Sequence, residues 1–296
     1  MSFIEKYIIE PFKYAISDRS KVLIGGSLLF FNIVADWMLL ILLGPFSLIL
    51  IPGITLIFTV IIVGYSIGII KNTLKGIDTL PDWRNFTEIV KDGVLYTVAL
   101  FILNLVLYLP AILLPIIGSF DTLGELVGHY SGGISIDGVL YIGTLFILNL
   151  VIYLPITLLL TVGLFSTLGG LTGYLAYLLP LYMLMALVVL LIYIPIATVN
   201  FVKKGFFGFF KVFDVLKNIS FEYFGILLYT LLGTVAVIIF ILIFVNIFAP
   251  LLYFVYPFGV LILLFVILVI SIIDFILWTI SFRAVAKYYL EREIKK

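Results

Sequence analysis

Two carboxyl groups stand where the surrounding residues offer nothing to neutralise a charge. Asp36 lies in the apolar run from Val22 to Leu43 and Asp274 in the run from Phe258 to Phe282, and neither run holds a Lys or Arg. If both runs are helices, Asp36 sits about 22 Å in from Lys21 and Asp274 about 13 Å in from Arg283. A carboxyl at such a depth in hydrocarbon is costly to ionise unless water, a cation or a proton compensates, so each is a candidate for proton or cation binding. The plainer reading is a protonated carboxyl hydrogen-bonded to a neighbouring helix. Asn32, four residues before Asp36, shares its helix face and would bridge to another helix or line a small polar cavity.

Other polar and breaking residues carry weaker signals. Asn104 and Asn149, each four residues before a Tyr, read as hydrogen-bonding glue between helices. Pro110, Pro155 and Pro195 fall within apolar runs, where each removes a helix hydrogen bond and predicts a kink or break. Gly64-x-x-x-Gly68, Gly124-x-x-x-Gly128 and Gly169-x-x-x-Gly173 allow close helix contact, within one chain or between copies. His129 is the single histidine, and with Asp121 and Glu125 it falls short of the three or four converging ligands that a metal demands. No metal site or cofactor is predicted, and the chain lacks the zinc-protease, nucleophile-elbow, phosphate-loop and dinucleotide motifs that would suggest an enzyme.

The elements that must position these residues follow from composition. Of 296 residues, 64% are hydrophobic and 11% charged, more apolar surface than a soluble core of this size can hide. Seven runs are long enough for a bilayer span: Val22 to Leu43, Ser47 to Ile70, Val94 to Ile117, Val139 to Val162, Tyr174 to Val202, Phe224 to Phe248 and Phe258 to Phe282. The 17 Lys and Arg residues all fall in four clusters between these runs, at Lys6–Lys21, Lys71–Lys91, Lys203–Lys217 and Arg283–Lys296. Such flanks resist translocation, so the pattern predicts all four clusters, and both termini, on the cytoplasmic side of the cell membrane. A net charge of +1, parcelled between apolar spans, argues against nucleic acid as a partner. With no cysteine there are no disulfides, and the charged first twenty residues predict no cleavable signal peptide.

Seven crossings conflict with termini on one side, and an internal repeat suggests why. Residues 92–128 match residues 137–173 at 24 of 37 positions without a gap, a tandem duplication that adds one apolar run. The expected fold is an all-α integral membrane protein, one polytopic domain over residues 1–296. It has three hairpin units, 1–71, 72–203 and 204–296, with about six full crossings and one extra duplicated copy, either re-entrant or lying in the interface. Each unit is expected to begin with an amphipathic interfacial helix, over Phe12–Lys21, Pro81–Asp92 and Phe209–Tyr223, where cations alternate with aromatics at helical spacing. The competing reading makes these segments snorkelling ends of the spans.

Gly64-Tyr65, Lys71, Gly76, Leu80-Pro81, Trp83, Phe86 and Asp92-Gly93 together resemble the signature of an uncharacterised archaeal multi-pass membrane family, domain of unknown function 4013. Tyr108-Leu109-Pro110, Tyr153-Leu154-Pro155 and Tyr193-Ile194-Pro195 resemble it as well. The resemblance implies a six-span membrane protein with no assigned activity and no catalytic residues to carry over; the duplication is a departure from it.

The function expected from these features is non-enzymatic: organising or sensing membrane lipids through the cytoplasmic-face amphipathic helices. An anionic leaflet would attract cations there at about 1 kcal/mol each. The alternative is a small-solute or ion transporter using Asp36 and Asp274, with proline-broken segments supplying unwound backbone. Whether the chain pairs with itself or another membrane protein is not readable.

Overall fold

The computed structural model describes residues 2–43, 47–118, 175–254 and 258–294, and all regular structure among them is helical. A π-helical turn, Glu5–Ile9, runs into α1, Glu10–Ala15. Then come α2 (Arg19–Leu43), α3 (Ser47–Leu74), α4 (Phe86–Gly118) and α5 (Leu175–Lys204). A 3₁₀ turn, Phe206–Phe210, and the short α6, Val212–Leu216, lead to α7 (Phe221–Phe254) and α8 (Phe258–Ile294). Among the described residues, four stretches are long and apolar enough to cross a membrane: Gly53–Leu74, Phe86–Leu107, Leu184–Lys204 and Gly259–Ile294. These lie in α3, α4, α5 and α8; Phe221–Val237 of α7 is a shorter apolar stretch.

The chain forms two compact units, one of residues 1–38, 54–96 and 195–296, the other of residues 39–53 and 97–194. In the first unit, glycine sets the helix crossings. A methyl group on Gly64 of α3 would strike the carbonyl of Ile89, and one on Gly93 of α4 would strike the carbonyl of Val60. The two backbones therefore touch, as the small-residue spacing allows, and the contact is within one chain. Gly25 and Gly26 of α2 admit Phe275 and Ile272 of α8 in the same way. Around these crossings Tyr14, Val22, Tyr65, Ile69, Leu80, Ile89 and Phe275 form a buried core. In the second unit, Tyr182 of α5 donates to the carbonyl of Leu107 on α4.

The four basic clusters meet at one end of the first unit. Lys6 pairs with Glu291, Lys203 with Glu293, Arg283 with Asp78, and Lys21 donates to the carbonyl of Leu80 at 2.7 Å. The N-terminal and C-terminal segments thus lie side by side. Helix α4 leaves this end and α5 returns to it, with Tyr96 of α4 bonded to Thr198 of α5 at 2.6 Å.

Two expectations need correction. The N-terminal helix begins near Phe3 rather than Phe12, and it ends at Ala15; after a short turn, Asp18 caps the first turn of α2 by accepting from the Lys21 amide at 3.2 Å. The middle segment is not a separate helix: residues 75–85 are loop, and Phe86–Asp92 form the first turns of α4, held in line by the Gly64 and Gly93 crossing. Pro110 and Pro195 lie inside helices that run on past them, α4 to Gly118 and α5 to Lys204. A helix in hydrocarbon tolerates proline where neighbours re-satisfy the freed backbone groups. Pro155, Asn149, His129 and the whole second copy lie outside the described residues.

Candidate functional site

The best-built region of the molecule is the loop between α3 and α4, which is held by its backbone. Helix α3 ends in a Schellman turn: Gly76 adopts φ +70°, its amide donates to Thr73 and the Ile77 amide to Asn72. The next carbonyls are taken by side chains drawn from four helices. Arg283 donates to Ile77 at 3.2 Å, Tyr14 and Asn72 to Thr79 at 3.1 and 2.9 Å, Lys21 to Leu80, and Tyr65 to Pro81 at 3.2 Å. Trp83 closes the loop, stacked on Tyr65 with ring centroids 3.9 Å apart while its indole N–H donates to the Lys21 carbonyl at 3.1 Å. The signature residues Gly64, Tyr65, Gly76, Pro81, Trp83 and Gly93 are thus the parts of this clasp.

Arg283 anchors it from α8. Its side chain is 2% exposed, with one guanidinium nitrogen on Glu10 at 2.8 Å and on Asp78, and the guanidinium carbon 4.0 Å from the Tyr14 ring centre. Lys287 takes the other Glu10 oxygen at 2.6 Å. Burial pushes the Tyr14 hydroxyl up to about 12; Arg283 opposes the shift, while Asp78 and Glu10 add to it. Tyr7 is raised for the same first reason, burial, reinforced by Glu222 and Glu291.

Beside the clasp, α3 and α4 wall a polar pocket of about 460 Å³. Lys71 crosses it to Glu88 and Asp92 at 2.8 and 2.6 Å, and Lys21, Lys75 and Asp82 contribute further charges. Cations and carboxylates balance there, so the pocket carries no net attraction for an anion.

The short elements after α5 have two faces. Gly205, at φ +76°, turns the chain out of α5, and Gly208 sits against the carbonyl of Asn200 with no room for a side chain. Phe209, Val215 and Asn218 are buried, Phe209 edge-on to Tyr96 at 5.6 Å. Lys204 and Lys217 bond Asp214 at 2.6 Å each and hold its carboxyl well below the usual carboxylate range. On the outer face Phe207 is 77%, Phe213 87% and Phe221 94% exposed. The N-terminal helix repeats the arrangement: Tyr7, Pro11 and Tyr14 point inward, while Ile4, Ile9, Phe12 and Ile16 are exposed.

The two acids of the apolar runs, Asp36 and Asp274, do not meet. Asp36 accepts a hydrogen bond from the Thr55 hydroxyl of α3, at 3.0 and 3.2 Å to its two oxygens. Gly26 crosses Ile272, so Asp36 lies about 15 Å beyond that crossing along α2. Asp274 lies two residues to its other side, and it has no hydrogen bond among the described residues. Asn32 has its amide oxygen buried without a partner. Asn104 bonds the Leu100 carbonyl of its own helix at 2.9 Å rather than a neighbouring helix. Sequence reasoning missed Thr55, Glu10 and the burial of Arg283. Ser17-Asp18 is a readable cap signal for the N-terminal break; Thr55 carries no signal that distinguishes it from other intramembrane hydroxyls.

Residues 47–169 match the family model described as a protein of unknown function (DUF4013). The match contains every residue from Gly64 to Gly93 that carried the resemblance. The chain is similar over its length to two uncharacterized proteins of Methanocaldococcus jannaschii. One, MJ1189, is 26% identical over 329 residues, covering 100% of both chains; the other, MJ0233, is 25% identical over 325 residues, covering 99% of each. No solved structure matches the chain.

Proposed function

With residues 47–169 matching the family of unknown function 4013, we propose that the chain is a non-enzymatic, multi-pass protein of the cell membrane that engages lipid from its cytoplasmic face. Two segments make the contact, the N-terminal helix and the 3₁₀ turn with α6. One observation carries this reading: Phe207, Phe213 and Phe221 stand 77%, 87% and 94% exposed beside exposed Lys211 and Lys217. Large apolar side chains in such a row need a cover, and an apolar ridge rimmed by cations suits the boundary between headgroups and acyl chains. The inner anchors, Phe209 and Val215, keep the segment from swinging free of the helices. Lysine at its rim favours an anionic leaflet, by about 1 kcal/mol per cation near the surface.

The absence of cysteine makes the test direct. Single cysteines replacing Phe213 and Lys217 would carry nitroxide labels in nanodiscs of mixed neutral and anionic lipid, with depth read from oxygen and nickel-chelate accessibility. Label 213 is expected about 5 to 10 Å below the headgroup boundary, with label 217 at headgroup level. Fully aqueous accessibility at both sites would rule the reading out.

A further inference from the structure

The pairing of Asp36 with Thr55 departs from the routine hydroxyl arrangement of the spans. Ser66, Thr73, Ser271 and Thr279 each donate to the carbonyl four residues back in their own helix, at 3.0, 2.8, 2.8 and 2.9 Å. That bond is always available to a helical Ser or Thr. Thr55 forgoes it and turns its hydroxyl across to α2, to both oxygens of Asp36. Thr55 is 3% exposed, so the hydroxyl is committed to the helix interface. One turn earlier on the same face of α2, the Asn32 amide oxygen is buried and unpartnered. An orphaned acceptor in such a place is destabilising, a cost that a ligand with positive charge would remove.

We propose that Asp36, Thr55 and Asn32 form a binding site for a monovalent alkali cation between α2 and α3. The donors are all hard oxygens: two of a carboxylate, one of a hydroxyl whose lone pairs stay free while its proton is donated, and one of an amide. Such a set suits alkali and alkaline-earth cations and not the softer transition metals, which take nitrogen or sulfur. Charge decides between the first two. One carboxylate neutralises one positive charge, whereas a divalent ion would leave a net charge buried about 22 Å from the Lys21 end of α2. Asp274, on the other side of the Gly26 crossing, takes no part. The site stands apart from the lipid-facing segments, so failure of either reading leaves the other intact.

Equilibrium binding of radiolabelled sodium to the purified full-length chain in detergent tests the site, with choline chloride holding ionic strength constant. The parent is expected to bind one sodium ion per chain saturably. Asp36→Asn, which preserves shape and can still accept from Thr55, should abolish binding, and Thr55→Val should weaken it about tenfold or more, the scale on which metal sites respond to loss of a supporting group. Asp274→Asn should bind as the parent does. Monodisperse elution of each variant establishes that it is folded, and Thr55→Val serves if Asp36→Asn is not. No saturable sodium binding by the parent, or binding unchanged in the folded Asp36→Asn or Thr55→Val variant, would overturn the proposal.

Discussion

Replacing Arg283 with Met should unfasten the loop between α3 and α4 from α8 without leaving a void, since Met fills much of the same apolar volume. The interactions that Arg283 makes differ in weight. Asp78 is 82% exposed and rehydrates freely, so that ion pair adds at most about 1 kcal/mol. Glu10 keeps Lys287 as a partner, so its carboxylate is not stranded. The stacking of the guanidinium on Tyr14 is partly desolvated and is worth about 1 to 2 kcal/mol. The Ile77 carbonyl lies in an exposed loop and turns to water, and Thr73 retains its bond to Ile69. The loss should come to about 2 to 4 kcal/mol, below the cost of breaking a fully enclosed pair. For a chain of this length, that is about 5 to 10 °C in the unfolding midpoint. Thermal unfolding in one detergent, followed by circular dichroism, reads it. Arg283→Lys should fall between parent and Met, because a point charge cannot serve Glu10, Asp78 and the Tyr14 face together. Glu10→Gln should cost less in the Met background than in the parent. A Met variant melting within about 1 °C of the parent would refute the view that Arg283 fastens the clasp.

Gly93→Leu should separate α3 from α4 and cost at least about 1 to 3 kcal/mol, the penalty of overpacking against backbone that cannot shift. Gly53→Ala, with nothing near the added methyl, should be neutral or gain up to about 1 kcal/mol; unfolding midpoints in one detergent compare the two. Gly76→Ala should lose about 1 kcal/mol, because alanine must then hold a left-handed conformation, and protease cleavage between residues 75 and 85 should become faster. Trp83→Leu removes both the stack on Tyr65 and the donor to Lys21, so the near-ultraviolet circular dichroism of the stacked pair should disappear while helix content is kept.

The side shared by the basic clusters is legible in the sequence because positive residues report it directly, and Lys6, Lys203 and Arg283 do meet partners at one end. The glycine contact is legible as a possibility, but the sequence does not name its partner; the structure pairs Gly64 and Gly93 reciprocally across α3 and α4. The clasp itself is hidden. Its acceptors are main-chain carbonyls, which every residue has, and its donors Tyr14, Lys21, Tyr65 and Arg283 come from four different helices, α1, α2, α3 and α8. Arg283 reads as one more cytoplasmic cation because a charge at a span end is usually solvated, and here Glu10, itself hidden among N-terminal charges, brings it inside. Proline removes one hydrogen bond, but a long apolar helix loses more by ending in hydrocarbon than by bearing the gap. The N-terminal helix reads short because its exposed side, Ile4, Ile9, Phe12 and Ile16, is as apolar as its buried side, so periodicity marks no single face.

The proposed placement of all four basic clusters on the cytoplasmic side is tested most directly by labelling single cysteines in this cysteine-free chain. Cysteines replacing Ser17, Lys75, Lys211 and Glu293 would be exposed to a membrane-impermeant maleimide in sealed vesicles of known orientation. All four are expected to react in inverted vesicles and to stay unlabelled in right-side-out vesicles until the membrane is opened. Labelling of any one of the four from the opposite side would contradict the arrangement.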